Sequence, residues 1–110
     1  MKPKHHVLMF DRMFVDAIAS GVKRQTYRQP RARPIRPGDT ISLRYWEGVA
    51  YRSKQIKIAE VVCTSVEPAQ LNASDIIHQH AVDDGFPDRE AMIDYFDLPF
   101  QGYLIRWRTP

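Results

Sequence analysis

The residues best equipped for chemistry stand together in Gly21-Val22-Lys23-Arg24-Gln25-Thr26-Tyr27-Arg28. This segment leaves a helical pattern and enters an extended one. Alternate side chains of a strand share a face, so Arg24, Thr26 and Arg28 are predicted on one side and Gln25 and Tyr27 on the other. Lys23 falls at the bend, where its long stem can swing toward Thr26. An amine, a hydroxyl and two guanidiniums would then surround one spot. A hydroxyl attacks well only after a base takes its proton, and a lysine is a base only when neutral. Burial and neighbouring cations both lower a lysine pKa, and Arg24 and Arg28 are the neighbouring cations here. The same residue types also describe a phosphate-gripping strand with a structural threonine, and the residues alone leave both readings open.

The elements that must position this segment follow from periodicity. His5 to Phe10 reads as a strand. Asp11 suits a helix cap, after which Met13, Phe14, Ala17 and Ile18 fall on one face, and Gly21 suits the C-terminal end. Gln29 to Pro37 holds three of the eight prolines and no periodicity, so it reads as a loop. Pro37-Gly38-Asp39 is a turn, Thr40 to Trp46 an alternating strand, Glu47-Gly48 a hairpin tip, and Gln55 to Val66 a long β-branched strand. Asn72 or Ser74 can cap a short helix to about Val82, ended by Asp83-Asp84-Gly85-Phe86-Pro87. Asp88 to Phe96 reads as a further short helix with Met92, Ile93 and Phe96 inward, and Gly102 to Arg108 as the closing strand. With 110 residues, no repeat and no linker, this predicts one α+β domain over residues 1–110: a small, mainly antiparallel β-barrel with about three short helices packed at its ends.

Charge is unevenly distributed. The net formal charge is +3. Lys23 to Arg36 carries six basic residues and no acid, whereas Asp83 to Asp97 carries six acids against Arg89 alone. A split of this kind favours one positive surface that attracts phosphates, and Arg31, Arg33 and Arg36 in the proline-rich loop are candidates for it. Tyr45 and Trp46 are adjacent in a strand, so one is predicted to face outward and stack a base. Trp107 reads as core. His5/His6 and His78/His80 do not have the convergence a metal site needs, so neither metal nor cofactor is expected. Cys63 is the only cysteine and lies in an apolar run, which predicts a buried thiol. No apolar run approaches the roughly 18 residues of a membrane helix, and Val7 to Phe10 is too short for a leader. A cytoplasmic protein, monomeric or weakly dimeric, is the expectation.

The order Phe10/Phe14, Gly21 to Arg28, Pro37-Gly38-Asp39, His80-Ala81-Val82-Asp83-Asp84-Gly85-Phe86 and Ile105-Arg106-Trp107 resembles the ASCH family, whose fold is similar to the PUA RNA-binding domain. One branch of that family looks like a small amidohydrolase that removes the acyl group of 4-acetylcytidine. The resemblance implies Lys23 as base, Thr26 as nucleophile and Asp84 as acid, with Arg24, Arg28 or a backbone N–H at the bend facing the oxyanion. Asp84 stands where that branch carries a glutamate, one methylene longer, and its surrounding Asp-Gly-Phe is closer to the wider family. Three readings result: an amidohydrolase on a 4-acylated cytidine, a non-catalytic RNA-binding module, and a metal-independent ribonuclease. RNA or a modified nucleoside is the implied partner in each.

Overall fold

The computed structural model describes residues 2–110. Five strands form one sheet: β1 (His5–Met9), β2 (Gln25–Arg28), β3 (Thr40–Trp46), β4 (Gln55–Leu71) and β5 (Phe100–Arg108), in the spatial order β1-β3-β4-β5-β2. The β1–β3 pair is parallel and the other three pairs are antiparallel. The expected α+β composition is observed, but the barrel is not closed. The two edges, β1 and β2, share no ladder. A side chain spans them instead: the Arg28 Nη2 donates to the Met9 carbonyl at 2.7 Å. The seam that backbone pairing leaves open is where the candidate site lies.

Strand β4 continues past Val66, where the β-branched run ends, because β5 pairs with it as far as Leu71. Beyond Val62 it has left β3 behind, so one side of β4 is unpaired and Pro68 is accommodated there. Two of the predicted helices are broken. Arg12–Phe14 is a 3₁₀ turn and only Val15–Ala19 is α-helical (α1). The tighter opening turn rotates Met13 out to 53% exposure, against the expectation that it faces inward, while Phe14 and Ile18 are buried. Asp11 precedes this turn but its side chain makes no capping bond. Asn72 and Asp75 form a reciprocal capping box around a 3₁₀ turn at Ala73–Asp75, and α2 starts afresh at His78–Asp83. Helix α3 (Arg89–Tyr95) is capped by Asp88, which accepts from the Ala91 N–H.

The core joins Leu8, Ile41, Leu43, Val61, Ile105 and Trp107 from the sheet to Phe14, Ile18, Ala81 and Met92 from the helical segments and to Phe86 just past α2. Cys63 is buried as expected. At the Pro37-Gly38-Asp39 turn, Gly38 takes φ +93°. Asp39 then accepts from the Lys4 and Arg36 N–H groups and meets His6 Nε2 at 2.8 Å, so one carboxylate ties β1 to the start of β3. No helix among the described residues is long and apolar enough to cross a membrane.

Candidate functional site

Two chain reversals build the site. At the end of α1, Gly21 (φ +82°) bonds its N–H to the Ile18 carbonyl. The Lys23 N–H then reaches back to the Ala17 carbonyl, which fixes the lysine backbone against the helix. At the end of α2, Gly85 (φ +90°) donates to the Val82 carbonyl and Phe86 to the Ala81 carbonyl. This paired pattern is a Schellman termination. It leaves the carbonyl of Asp84, the last residue before the reversal, free for another donor.

That donor is Lys23. Its Nζ bonds to the Asp84 carbonyl and, at 3.2 Å, to Asp84 Oδ1. Both side chains are almost wholly buried. The ammonium also lies 4.7 Å from the Phe14 ring centroid and 5.7 Å from that of Phe10. Gly85 is required here for a second reason: a Cβ on it would sit 2.8 Å from Lys23 Cδ. Burial dominates the electrostatics of both partners. It lowers the Lys23 pKa to about 8, against the attraction of Asp84 and with the help of Arg28. It raises the Asp84 pKa to about 6, against the attraction of Lys23 and Arg28. Two groups ordinarily at 10.5 and 3.8 are thereby brought within about two units.

Thr26 and Arg28 extend the site along β2. Arg28 Nε donates to Thr26 Oγ1 at 3.2 Å, and the guanidinium lies 4.6 Å from the Phe10 centroid. Thr26 and Lys23 share no hydrogen bond. Among the described residues Arg28 Nη1 and Asp84 Oδ2 have no protein partner, yet no buried side-chain nitrogen or oxygen is left unpaired. Both atoms are therefore solvent-accessible, and both residues line the same cleft of about 360 Å³. Its walls are aromatic: Phe10, Phe14, Tyr27, Phe96 and Tyr95, with Tyr51 at the opening. Tyr95 donates to Asp11 Oδ2, and burial together with that bond pushes its phenol up to about 12.

The remaining predicted residues are dispersed. Arg24 does not join Lys23. The strand begins only at Gln25, and Arg24 is exposed, lining a separate cleft with Gln25, Thr64, Asp83 and Arg106. It is absent from the charges that act on Lys23. Arg31, Arg33 and Arg36 line other surface clefts, Arg33 and Arg36 alongside Lys2 and Lys4. Tyr45 and Trp46 do not divide into one inward and one outward ring. Both are half-buried, Tyr45 beneath the Arg12 guanidinium and Trp46 against Tyr51. His80 is exposed and does not line the cleft. Asp11, Tyr95 and Phe96 escaped the sequence reading as site residues. Their signal was too weak to find: an acid at a helix start and an aromatic pair in an acidic helix have ordinary structural roles. Among the described residues no cluster of three His, Cys, Asp or Glu is placed to hold a metal.

No family model matches the chain, and no curated protein matches it. Among solved structures, the crystal structure of an ASCH domain from Lactobacillus crispatus JV V101 matches with a TM-score of 0.67, over 96% of this chain and 79% of that one, at 16% identity. The chain therefore has the fold of an ASCH domain.

Proposed function

We propose that this ASCH-fold chain is an amidohydrolase acting on a 4-acylated cytidine. The observation that carries the reading is the buried Lys23–Asp84 pair at the floor of an aromatic-walled cleft, beside a threonine hydroxyl and an arginine with an unpaired N–H edge. Such a cleft fits a flat, uncharged ring. The exocyclic amide of the substrate has one N–H and one carbonyl. Asp84 Oδ2 and Arg28 Nη1 offer the complementary acceptor and donor.

The resting pair holds its proton on Lys23. Passing that proton to Asp84 gives a neutral amine and a carboxylic acid, the two forms the reaction needs. Burial has already removed most of the barrier to that exchange by narrowing the pKa gap. Neutral Lys23 accepts the Thr26 proton as Oγ1 bonds to the amide carbon. The developing oxyanion faces Arg28, an arrangement typically worth roughly 3–4 kcal/mol. The C–N bond breaks as Asp84 gives its proton to the cytidine amine. Water gives a proton to the Asp84 carboxylate as it adds to the acyl carbon, Thr26 Oγ1 leaves with the proton that Lys23 had taken, and the carboxylic acid is released with the pair restored to one proton. The Schellman turn brings the whole of Asp84, carbonyl included, against Lys23, which supports it as the acid despite its shorter side chain.

Incubation with 4-acetylcytidine, followed by chromatography, tests this. Wild type is expected to release cytidine, and Lys23→Ala and Thr26→Ala are expected not to. Undiminished release by Thr26→Ala refutes the covalent route, and no release by folded wild type refutes the activity.

A second reading, a non-catalytic RNA-binding module, is supported by a different observation. Lys2, Lys4, Arg33 and Arg36 line one cleft of about 170 Å³, and none of them is in an ion pair among the described residues. Under that reading RNA affinity falls steeply with salt, and removal of Arg33 and Arg36 reduces the slope.

A further inference from the structure

We propose that Tyr51 is the roof of the cleft, stacking on the base of the bound nucleoside and setting substrate affinity. The proposal rests on the nucleoside reading above.

Tyr51 lies in the loop between β3 and β4, and it is the only non-glycine among the described residues with positive φ, at 64°. Left-handed backbone is uncommon for a bulky side chain, and a glycine or asparagine would serve the turn better. The loop enforces the conformation. Glu47 N–H bonds to the Lys54 carbonyl, Arg52 N–H to the Val49 carbonyl, and the Ser53 hydroxyl donates to the Val49 carbonyl while accepting from Gly48 N–H. Arg12 pins the loop from outside by donating to the Glu47 carbonyl. The turn therefore has no use for a tyrosine as such, and the ring must be explained by what it faces.

It faces two things. The Trp46 ring lies 5.3 Å away, centroid to centroid, tilted by 47°. The cleft above Phe10, Thr26 and Arg28 lies on its path as well, since Tyr51 is among the lining residues. Despite both contacts the tyrosine is 89% exposed, the highest value of any large hydrophobic side chain described. A strained, braced and yet uncovered aromatic ring at the mouth of an aromatic cleft is a surface awaiting a flat partner. Strain of this kind persists where the surrounding structure holds it in place, and such positions cluster at ligand clamps. Trp46 supports the ring from behind, so Tyr51 can meet a base without losing many conformations on binding.

The test separates ring from backbone. Tyr51→Gly relieves the left-handed strain and removes the ring, so it folds at least as well as wild type. Tyr51→Leu keeps apolar bulk without a π-face, and Tyr51→Phe keeps the π-face without the hydroxyl. Cytidine binding is measured by calorimetry and KM for 4-acetylcytidine by initial rates. Base–aromatic stacking predicts that Tyr51→Gly and Tyr51→Leu raise Kd and KM roughly 10- to 100-fold, with kcat changed by less than about twofold, while Tyr51→Phe stays close to wild type. Wild-type Kd and KM in Tyr51→Gly overturn the proposal and leave the enzymatic reading intact. Failure of wild type itself to bind either nucleoside overturns the nucleoside reading and this proposal with it.

Discussion

Replacing Lys23 by Met and Asp84 by Asn at once removes both buried charges while nearly preserving volume. Burial lowers the lysine from 10.5 to about 8 and raises the aspartate from 3.8 to about 6. At 1.36 kcal/mol per unit, each charge is held in the fold at a loss of about 3 kcal/mol at neutral pH. The two losses share one attraction and are not summed. Against them stands the Asp84 carbonyl, which loses its Lys23 donor and is worth about 1–2 kcal/mol. The double variant is therefore expected to gain about 1–2 kcal/mol at pH 7, in line with apolar replacement of other buried pairs. Each single variant strands one charge and is expected to lose stability.

The pH dependence sharpens the test. A raised aspartate pKa makes stability fall as pH rises from 3.8 to about 6, because the native state gives up its proton later than the unfolded chain. A lowered lysine pKa makes stability rise from about 8 to 10.5, because the unfolded chain there holds the proton the native state has lost. The advantage of the double variant should be greatest between about pH 6 and about pH 8 and should shrink on both sides. Urea unfolding of wild type, both singles and the double, from pH 4 to pH 10, measures it. A double variant less stable than wild type at pH 7 would show that the pair is a structural bond, and an advantage independent of pH would show that it does not arise from the two buried charges; either result refutes the reasoning.

Further outcomes are expected. Hydrolysis of 4-acetylcytidine should follow a bell in pH, with limbs belonging to the coupled pair near about 6 and about 8: below the first both groups are protonated, and above the second neither is. A rate still rising at pH 10 contradicts this. Gly85→Ala combines a φ of +90° with a Cβ 2.8 Å from Lys23 Cδ, so it should cost about 1–3 kcal/mol in urea unfolding. It should also lower kcat more than it raises KM. Asp39→Ala should cost about 2–4 kcal/mol at pH 7, because it removes the acceptor of two backbone N–H groups and the partner of buried His6. Burial pushes the Asp39 carboxyl up, but bonds from Lys4, His6 and Arg36 outweigh it and hold the pKa below 3.8. Its stabilising effect is therefore complete above that value and fades in acid, so the gap between the two proteins should narrow as pH falls through the lowered Asp39 pKa.

Much of the fold was legible because it is written locally. Alternation marked β3, proline and glycine marked the turns, and Asp88 marked the start of α3, since each depends on residues within a few positions of one another. Cys63 and Trp107 were legible as core from their apolar strands. Lys23, Thr26 and Asp84 were named from a resemblance in order and spacing, and the fold brings all three to one cleft. The sequence by itself thus determined the α+β class, most of the elements, the two glycine reversals that aim Lys23 and Asp84 at each other, and the residue types available for chemistry. Tertiary structure decided the rest. Whether β1 and β2 pair depends on the curl of the whole sheet, and the seam they leave open, spanned by Arg28, became the cleft. Arg24 follows Lys23 directly in the chain yet faces another surface, because the strand starts one residue later than the alternation assumed. Tyr51 and Tyr95 come to the cleft from loops and helices far along the chain, and Asp11 meets Tyr95 across 84 residues. The protonation of Lys23 is likewise a tertiary property. It rests on the burial that Gly85, Phe14 and Phe10 impose, and desolvation depends on what surrounds a charge in space, which no local pattern of residues records.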